Sequence, residues 1–374
     1  MMDSARVAKY LDRYACAEAR QVVSARSQLA GRYGHVCAIP IFNESAEFIE
    51  GLAGAVAGAE QRCLFAVVVN ATDRASRAAR DRNAQLIAAL TRRAAALRLL
   101  SHSPPMWLLG EALRPGPGRS ADIVLVDRST PPHNLDRDQG VGLARKIGCD
   151  IALTLMASGL VSSRWIHTTD ADVILPARYF AVCSEVPRSW LALTYPFRHQ
   201  LSGPFGPALA LYELSLHYYV RGLAWAGSPY AHHTIGSTLA VDGTAYAAVR
   251  GVPRRQAGED FYLLNKIAKV GPVGEPEIEP IQIHGRSEEL PSARVPFGTG
   301  PATRRIAADL AAGQPFCLYH PRSFAVLRCW QRTISRWANT ENADMDHVIG
   351  EIAAEDGLDS DEIAALQRVL EGQR

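Results

Sequence analysis

Two aspartates separated by one residue, Asp170-Ala171-Asp172, stand where the apolar run 165–169 gives way to polar residues. Carboxylates at that spacing past a strand end can hold a hard divalent cation through oxygen, and such a cation can bridge phosphate oxygens. It would neutralise charge building on a diphosphate leaving group. The same triplet also makes an ordinary turn with two solvated aspartates, and by itself it does not separate the two. Further on, Gly258-Glu259-Asp260 opens a predicted helix. There a carboxylate can act as a general base on a hydroxyl, or simply complement the helix dipole. Two more polar clusters, Asn43/Glu44 and Asn70/Asp73, follow the apolar runs 35–42 and 64–69.

The elements that must carry these residues alternate. Apolar spacing predicts helices over 4–29, 48–59, 74–97 and 140–156, and strands over 35–42, 64–69, 123–126 and 165–169. That order predicts an α/β fold, a mostly parallel twisted sheet flanked by helices. Ligands of such sheets bind beyond the carboxyl ends of the strands, so the three clusters should meet there. After residue 173 the pattern changes: a loop over 195–206, a helix over 207–226, a strand over 236–242, a helix over 258–269 and a polar loop over 291–300. The remainder, 302–374, reads as helical with an acidic end.

Of 374 residues, 48% are hydrophobic and 21% charged, and the formal net charge is +2. That supports a sizeable core and gives no electrostatic case for nucleic acid as a partner. Seven cysteines with no CxxC pair point to buried free thiols rather than a disulfide framework or a zinc site. No apolar stretch reads as a transmembrane segment or signal peptide, so a cytoplasmic location is expected, with peripheral membrane contact left open.

The succession Ile39-Pro40-Ile41-Phe42-Asn43-Glu44, Val69-Asn70-Ala71-Thr72-Asp73, Gly142-Leu143-Ala144-Arg145, Asp170-Ala171-Asp172 and Gly258-Glu259-Asp260 resembles family 2 glycosyltransferases over about residues 36–274. The resemblance implies a GT-A catalytic domain over 35–300, with a nucleotide-sugar half at about 35–173 and an acceptor half at about 174–300. A helical extension (1–34) precedes it and a helical region (301–374) follows. It implies transfer of a sugar from a nucleoside diphosphate sugar, most readily UDP- or GDP-linked, to an acceptor hydroxyl, with Mn2+ or Mg2+ as cofactor. By position, Pro40, Asn43, Glu44 and Asn70 would lie against the nucleotide, and Asp73 would meet the base, unless it caps the helix that follows. Arg145 would approach the diphosphate or sugar, or be a solvated helix arginine. Asp172 and Asp170 would bind the metal, with His284 as a third ligand. Asp260, ahead of Glu259, would be the base of an inverting transfer. Weaker candidates are Asp127, Arg128, Lys146, Arg286, Arg294 and the loop 295–300. His232, His233, Trp225 and Tyr230 would serve an acceptor. A retaining transferase and a degenerate transferase kept as a binding or scaffold protein remain alternatives. The long segment 74–121 and Gly251-Val252-Pro253 depart from the family's usual pattern.

Overall fold

Strands of Val, Ile, Leu, Ala and Cys with hardly a polar atom can only be the buried middle of a sheet covered on both faces. The computed structural model of the chain describes residues 4–25, 27, 29, 31–201, 206–255, 258–284, 301–339 and 345–371. Helices α1 (Ser4–Arg13) and α2 (Ala17–Ser24) precede β1 (His35–Ile41). A 3-10 segment (Ala46–Leu52) runs into α3 (Ala53–Gly58), then β2 (Cys63–Asn70), α4 (Arg77–Arg93), β3 (Ala96–His102), β4 (Pro105–Gly116) and β5 (Arg119–Arg128). Next come α5 (Val141–Ala157), β6 (Trp165–Thr168), β7 (Val173–Ile174), β8 (Ala192–Thr194), β9 (Phe197–His199) and α6 (Gly206–Trp225). The chain continues through β10 (Leu239–Asp242), α7 (Gly243–Ala248), α8 (Glu259–Ile267), β11 (Val273–Gly274) and β12 (Ile281–Ile283). It ends in α9 (Pro301–Ala311), α10 (Pro321–Ala338), α11 (Met345–Asp356) and α12 (Ser360–Glu371).

Among the described residues, nine strands form one sheet in the order β11-β8-β10-β6-β1-β2-β5-β4-β3, flanked by helices. The expected parallel arrangement describes its centre, where β6, β1, β2 and β5 run together. Outside the centre the pairing turns antiparallel, β10 against β6 and β8 on one side and β4 against β5 and β3 on the other, with β11 parallel to β8 at the edge. Within the segment 74–121, α4 takes the first part and the β3–β4 hairpin the second. Ala94–Ala96 are good helix formers, yet the chain turns extended at Ala94 and Ala96 pairs with Gly110. Tertiary pairing overrides weak helix propensity here.

The chain divides into two compact units. The first, Met1–Gln200 with Thr234–Thr299, contains the sheet. Its core also takes in Val7, Tyr10, Ala19 and Val22, so α1 and α2 belong to this unit rather than extending from it. The single helix expected over 4–29 breaks because Asp150, a fully buried carboxylate on α5, needs donors. It accepts from Tyr10 Oη (2.6 Å), Tyr246 Oη (2.8 Å), Lys146 Nζ (2.9 Å) and the Cys16 amide (2.8 Å), and that last bond sets the extended residue before α2. The second unit, Leu201–His233 with Gly300–Arg374, is helical, with α10, α11 and α12 packed around Cys329, Val348, Ile352 and Leu366. No helix among the described residues is long and apolar enough to cross a membrane.

One face of the β1–β6 pair makes the first unit sensitive to acid. His167 is fully buried beside Tyr195 and Cys183, and His35 stacks on Phe180 with ring centroids 4.7 Å apart. Burial lowers the His35 pKa to about 4 and that of His167 well below the usual value. The folded state therefore keeps both rings neutral, while the unfolded chain protonates them near pH 6.5. This contribution to stability is complete above that pH and shrinks as the pH falls from about 6.5 toward 4. For His35 alone the loss reaches at most ~3 kcal/mol. His35→Phe keeps the ring stack and should reduce the drop in urea midpoint between pH 7 and pH 4.5. An unchanged drop would remove His35 from the account.

Candidate functional site

The parallel strands β1, β2 and β6 end on the same side, and a cavity of about 400 Å³ opens there. Pro40, Phe42 and Glu44 line it from the end of β1, and Asn70, Ala71 and Thr72 from the end of β2. Asp170, Ala171 and Asp172 follow β6, and Gly140 and Val141 stand at the start of α5. Each of the three polar clusters thus sends a residue to one cavity, Glu44 and Asn70 from the first two and both aspartates from the third, while Asn43 and Asp73 do not line it. Phe42, Thr72, Gly140 and Val141 had no marker in the sequence, because none carries a charge and the cavity only forms once the strands are paired.

Asparagines fix the first two strand ends. Asn43 is buried and takes a left-handed conformation (φ 59°), which asparagine tolerates better than most residues. Its amide donates to Asn83 Oδ1 (2.9 Å), and its Oδ1 accepts from Arg82 Nε (3.0 Å). Asn70 donates from Nδ2 to the Ile41 carbonyl (2.9 Å). Asn83, on α4, was missed in the sequence because it sits alone among Ala and Arg in a helical segment.

Beyond β6, Arg145 of α5 organises the first aspartate. Its side chain is 3% exposed, so it is not a solvated helix arginine. It donates to Asp170 Oδ1 (2.9 Å), Glu259 Oε1 (3.0 Å), Thr168 Oγ1 (2.5 Å) and the Gly236 carbonyl (2.9 Å). A side chain at Gly236 would collide with the guanidinium. Burial alone would lower the guanidinium's pKa, but Asp170, Glu259 and Asp260 more than offset that, and the net shift is upward. Arg145 therefore stays charged, with Asp170 and Glu259 as its carboxylate partners.

The chain after Asp172 lies along Gly51, Gly54 and Gly58, where any Cβ would strike the carbonyls of Val173, Leu175 and Ala177. This close approach fixes β7, which pairs antiparallel with β12. The ladder places His284 beside Asp172, with the His284 amide donating to the Asp172 carbonyl (2.6 Å). His284 Nε2 is buried and has no hydrogen-bond partner among the described residues. Burial lowers this imidazole's pKa, which favours the neutral form that metals bind. Among the described residues no three His, Cys, Asp or Glu side chains converge as a ready cage.

Gly258 precedes α8 with φ 72°, a conformation that favours glycine, and turns the chain so that Glu259 points to Arg145. Asp260 accepts from the Phe261 amide (2.7 Å). Burial and then the charge of Glu259 raise its pKa above the ordinary carboxylate value, and Arg145 only partly opposes them.

Other candidates have different tasks. Asp73 is exposed and does not cap α4, because Ser76 does so through the Ala79 amide (3.2 Å). Asp127 Oδ1 accepts from the Ser129 amide and hydroxyl and from the Thr130 amide, and so closes its own turn. Lys146 belongs to the buried Asp150 cluster, and Arg128 pairs with Glu18 at 3.6 Å. Arg286, Arg294 and the loop 295–300 lie outside the described residues. His232, His233, Trp225 and Tyr230 fall in the second unit.

No family model matches the chain, and no curated protein matches it. Solved structures do. A mannosyltransferase from Pyrobaculum calidifontis in complex with GDP-Man and Mn2+ is 14% identical, over 97% of this chain and 96% of that one, with a TM-score of 0.39. Glucosyl-3-phosphoglycerate synthase from Mycobacterium tuberculosis, in complex with Mn2+, UDP and glucosyl-3-phosphoglycerate, is 10% identical over 80% of this chain and 84% of that one, with a TM-score of 0.36. A mycobacterial protein is 12% identical over 81% of each chain, with a TM-score of 0.33.

Proposed function

We propose that this chain is a metal-assisted glycosyltransferase, of GT-A type, that moves a sugar from a nucleoside diphosphate sugar to an acceptor hydroxyl. The observation that carries this reading is the meeting, at one cavity, of the ends of β1, β2 and β6 with Asp172 and the His284 beside it.

A divalent cation fits the donor set there. Asp172, His284 and Asp170 would hold it, with the remaining positions left to phosphate oxygens or water. The orphaned imidazole nitrogen favours Mn2+ over Mg2+. When bound, the cation neutralises charge on the diphosphate. Asp170 gives Oδ1 to Arg145, which shapes the loop, and would reach the cation through its other oxygen. Pro40, Phe42, Glu44, Asn70 and Thr72 form the walls against which the nucleotide lies. Asp73, next to Thr72, has the acceptor oxygens that a uracil or guanine N–H needs, which suits a UDP- or GDP-sugar. Asp260 takes the acceptor hydroxyl's proton as that oxygen bonds to the anomeric carbon. The bond from this carbon to the diphosphate breaks, the nucleoside diphosphate leaves, and configuration inverts.

A melting series with UDP, GDP, dTDP and CDP, each with and without Mn2+, tests this. A ligand at a hundred times its Kd stabilises the folded state by about 2.7 kcal/mol. One nucleotide should raise the melting temperature only with Mn2+, and Asp172→Asn should abolish the rise. No shift with any nucleotide, or a shift indifferent to metal, would contradict the reading.

A further inference from the structure

We infer that Asn83, on α4 and outside the cavity wall, is the positioning residue that fixes the nucleoside end of the site. This inference rests on the proposed nucleotide-binding reading. The side chain is fully buried and uses both ends of its amide. Its oxygen accepts from the Asn43 amide at 2.9 Å, and its nitrogen donates to the Asn70 carbonyl at 3.0 Å. Asn43 stands between Phe42 and Glu44, and Asn70 precedes Ala71 and Thr72; these neighbours and Asn70 line the cavity. One amide therefore ties together the loops that follow the neighbouring strands β1 and β2, both of which contribute to the wall.

The chemistry of the tie is narrow. It needs one acceptor and one donor on the same carbon, which only a carboxamide of this length offers here. An aspartate would keep the acceptor, but its carboxylate would face the Asn70 carbonyl with no hydrogen to give. A leucine of similar volume would orphan a buried N–H and a buried C=O together. The left-handed backbone of Asn43 adds a second reason for the tie. A conformation of this kind persists only when its surroundings hold it, and the bond from the Asn43 amide to Asn83 is one of those holds. Next to it, Arg82 Nε on the Asn43 side chain grips the same loop from the same helix, so α4 holds the end of β1 twice.

Loosening the tie should widen the spread of loop positions and weaken nucleotide binding without touching the groups that do chemistry. Asn83→Leu and Asn83→Asp should each raise the Kd for the nucleotide that the wild-type chain binds by about tenfold, measured calorimetrically with Mn2+ below the variants' melting temperatures. In turnover the loss should appear in KM for the donor, with kcat within about threefold. Hydrogen exchange of the peptide spanning 41–46 should quicken in both variants. Leu90→Ala is the control. It removes buried apolar atoms from the same helix but leaves both hydrogen bonds of Asn83 in place, so it should melt earlier while its nucleotide affinity stays within about threefold of wild type. Asn83 variants that melt earlier but bind nucleotide as wild type does would show a purely structural role and overturn the inference alone. A wild-type chain that binds no nucleotide would overturn the proposed function, and this inference with it.

Discussion

Asp260→Asn is expected to lower kcat by about 10²- to 10⁴-fold while leaving the metal-dependent nucleotide shift in place. The amide matches the carboxylate in shape and can still accept from the Phe261 amide, so α8 should start as before. What it cannot do is take a proton. Because burial and the charge of Glu259 raise the Asp260 pKa, the wild-type rate should fall as the pH drops through a value above the ordinary carboxylate range. The same shift has a consequence for stability, with the opposite sign from a salt-bridged aspartate. A carboxyl whose folded pKa is raised contributes most at low pH, and the contribution declines as the pH rises past its unfolded value. At neutral pH the ionised Asp260 is therefore a cost to the fold, and Asp260→Asn should melt at or slightly above the wild-type temperature. A catalytic group that strains its own site behaves this way. An Asp260→Asn enzyme with more than a tenth of wild-type turnover would show that another group is the base. A product retaining the donor's anomeric configuration would remove the need for a base in this position.

The fold was largely legible because the central strands are nearly pure apolar runs and the helices between them keep a clear period. Bounds for α5 came within a residue, since a helix buried along nearly its whole length carries an unbroken signal. Three features escaped for physical reasons. Most of β3 is exposed, so its residues show no alternation. The break between α1 and α2 depends on Asp150, more than a hundred residues away. Asn83 acts only through strand ends that are distant in sequence. At the site, polar and acidic residues at strand ends stood out, and Glu44, Asn70, Asp170 and Asp172 line one cavity. The sequence left Arg145 divided between diphosphate and solvent. Its environment is not solvent, because all four of its partners, distant in sequence by 23 residues or more, close around it, and one of them is a main-chain carbonyl opened by a glycine.

That environment makes Arg145→Met the substitution with the largest expected effect on stability. Methionine can fill much of the space, but it removes the positive charge that accompanies Glu259, whose side chain is 4% exposed. It also removes the donor to the Thr168 hydroxyl and one of two donors to the Gly236 carbonyl, which keeps only the longer bond from Thr168 Oγ1 (3.3 Å). Breaking a buried pair from one side costs about 3–5 kcal/mol, mostly because the remaining charge is stranded. Asp170, at 37% exposure, can turn to water and should contribute less than Glu259. A double-mutant cycle in urea separates the two. Arg145→Met with Glu259→Gln should recover more than half of the single-mutant loss, whereas Arg145→Met with Asp170→Asn should recover little. Equal recovery from both would mean that the guanidinium is held mainly by charge near the cavity mouth rather than by the buried carboxylate. The ordering also bears on function. If Glu259 dominates, the arginine's chief task is to anchor the start of α8, and with it Asp260, against the strand that ends at the aspartate pair. Asp172 and Asp260 are then set by one buried ion, and the distance between the proposed metal and the proposed base is a property of the core.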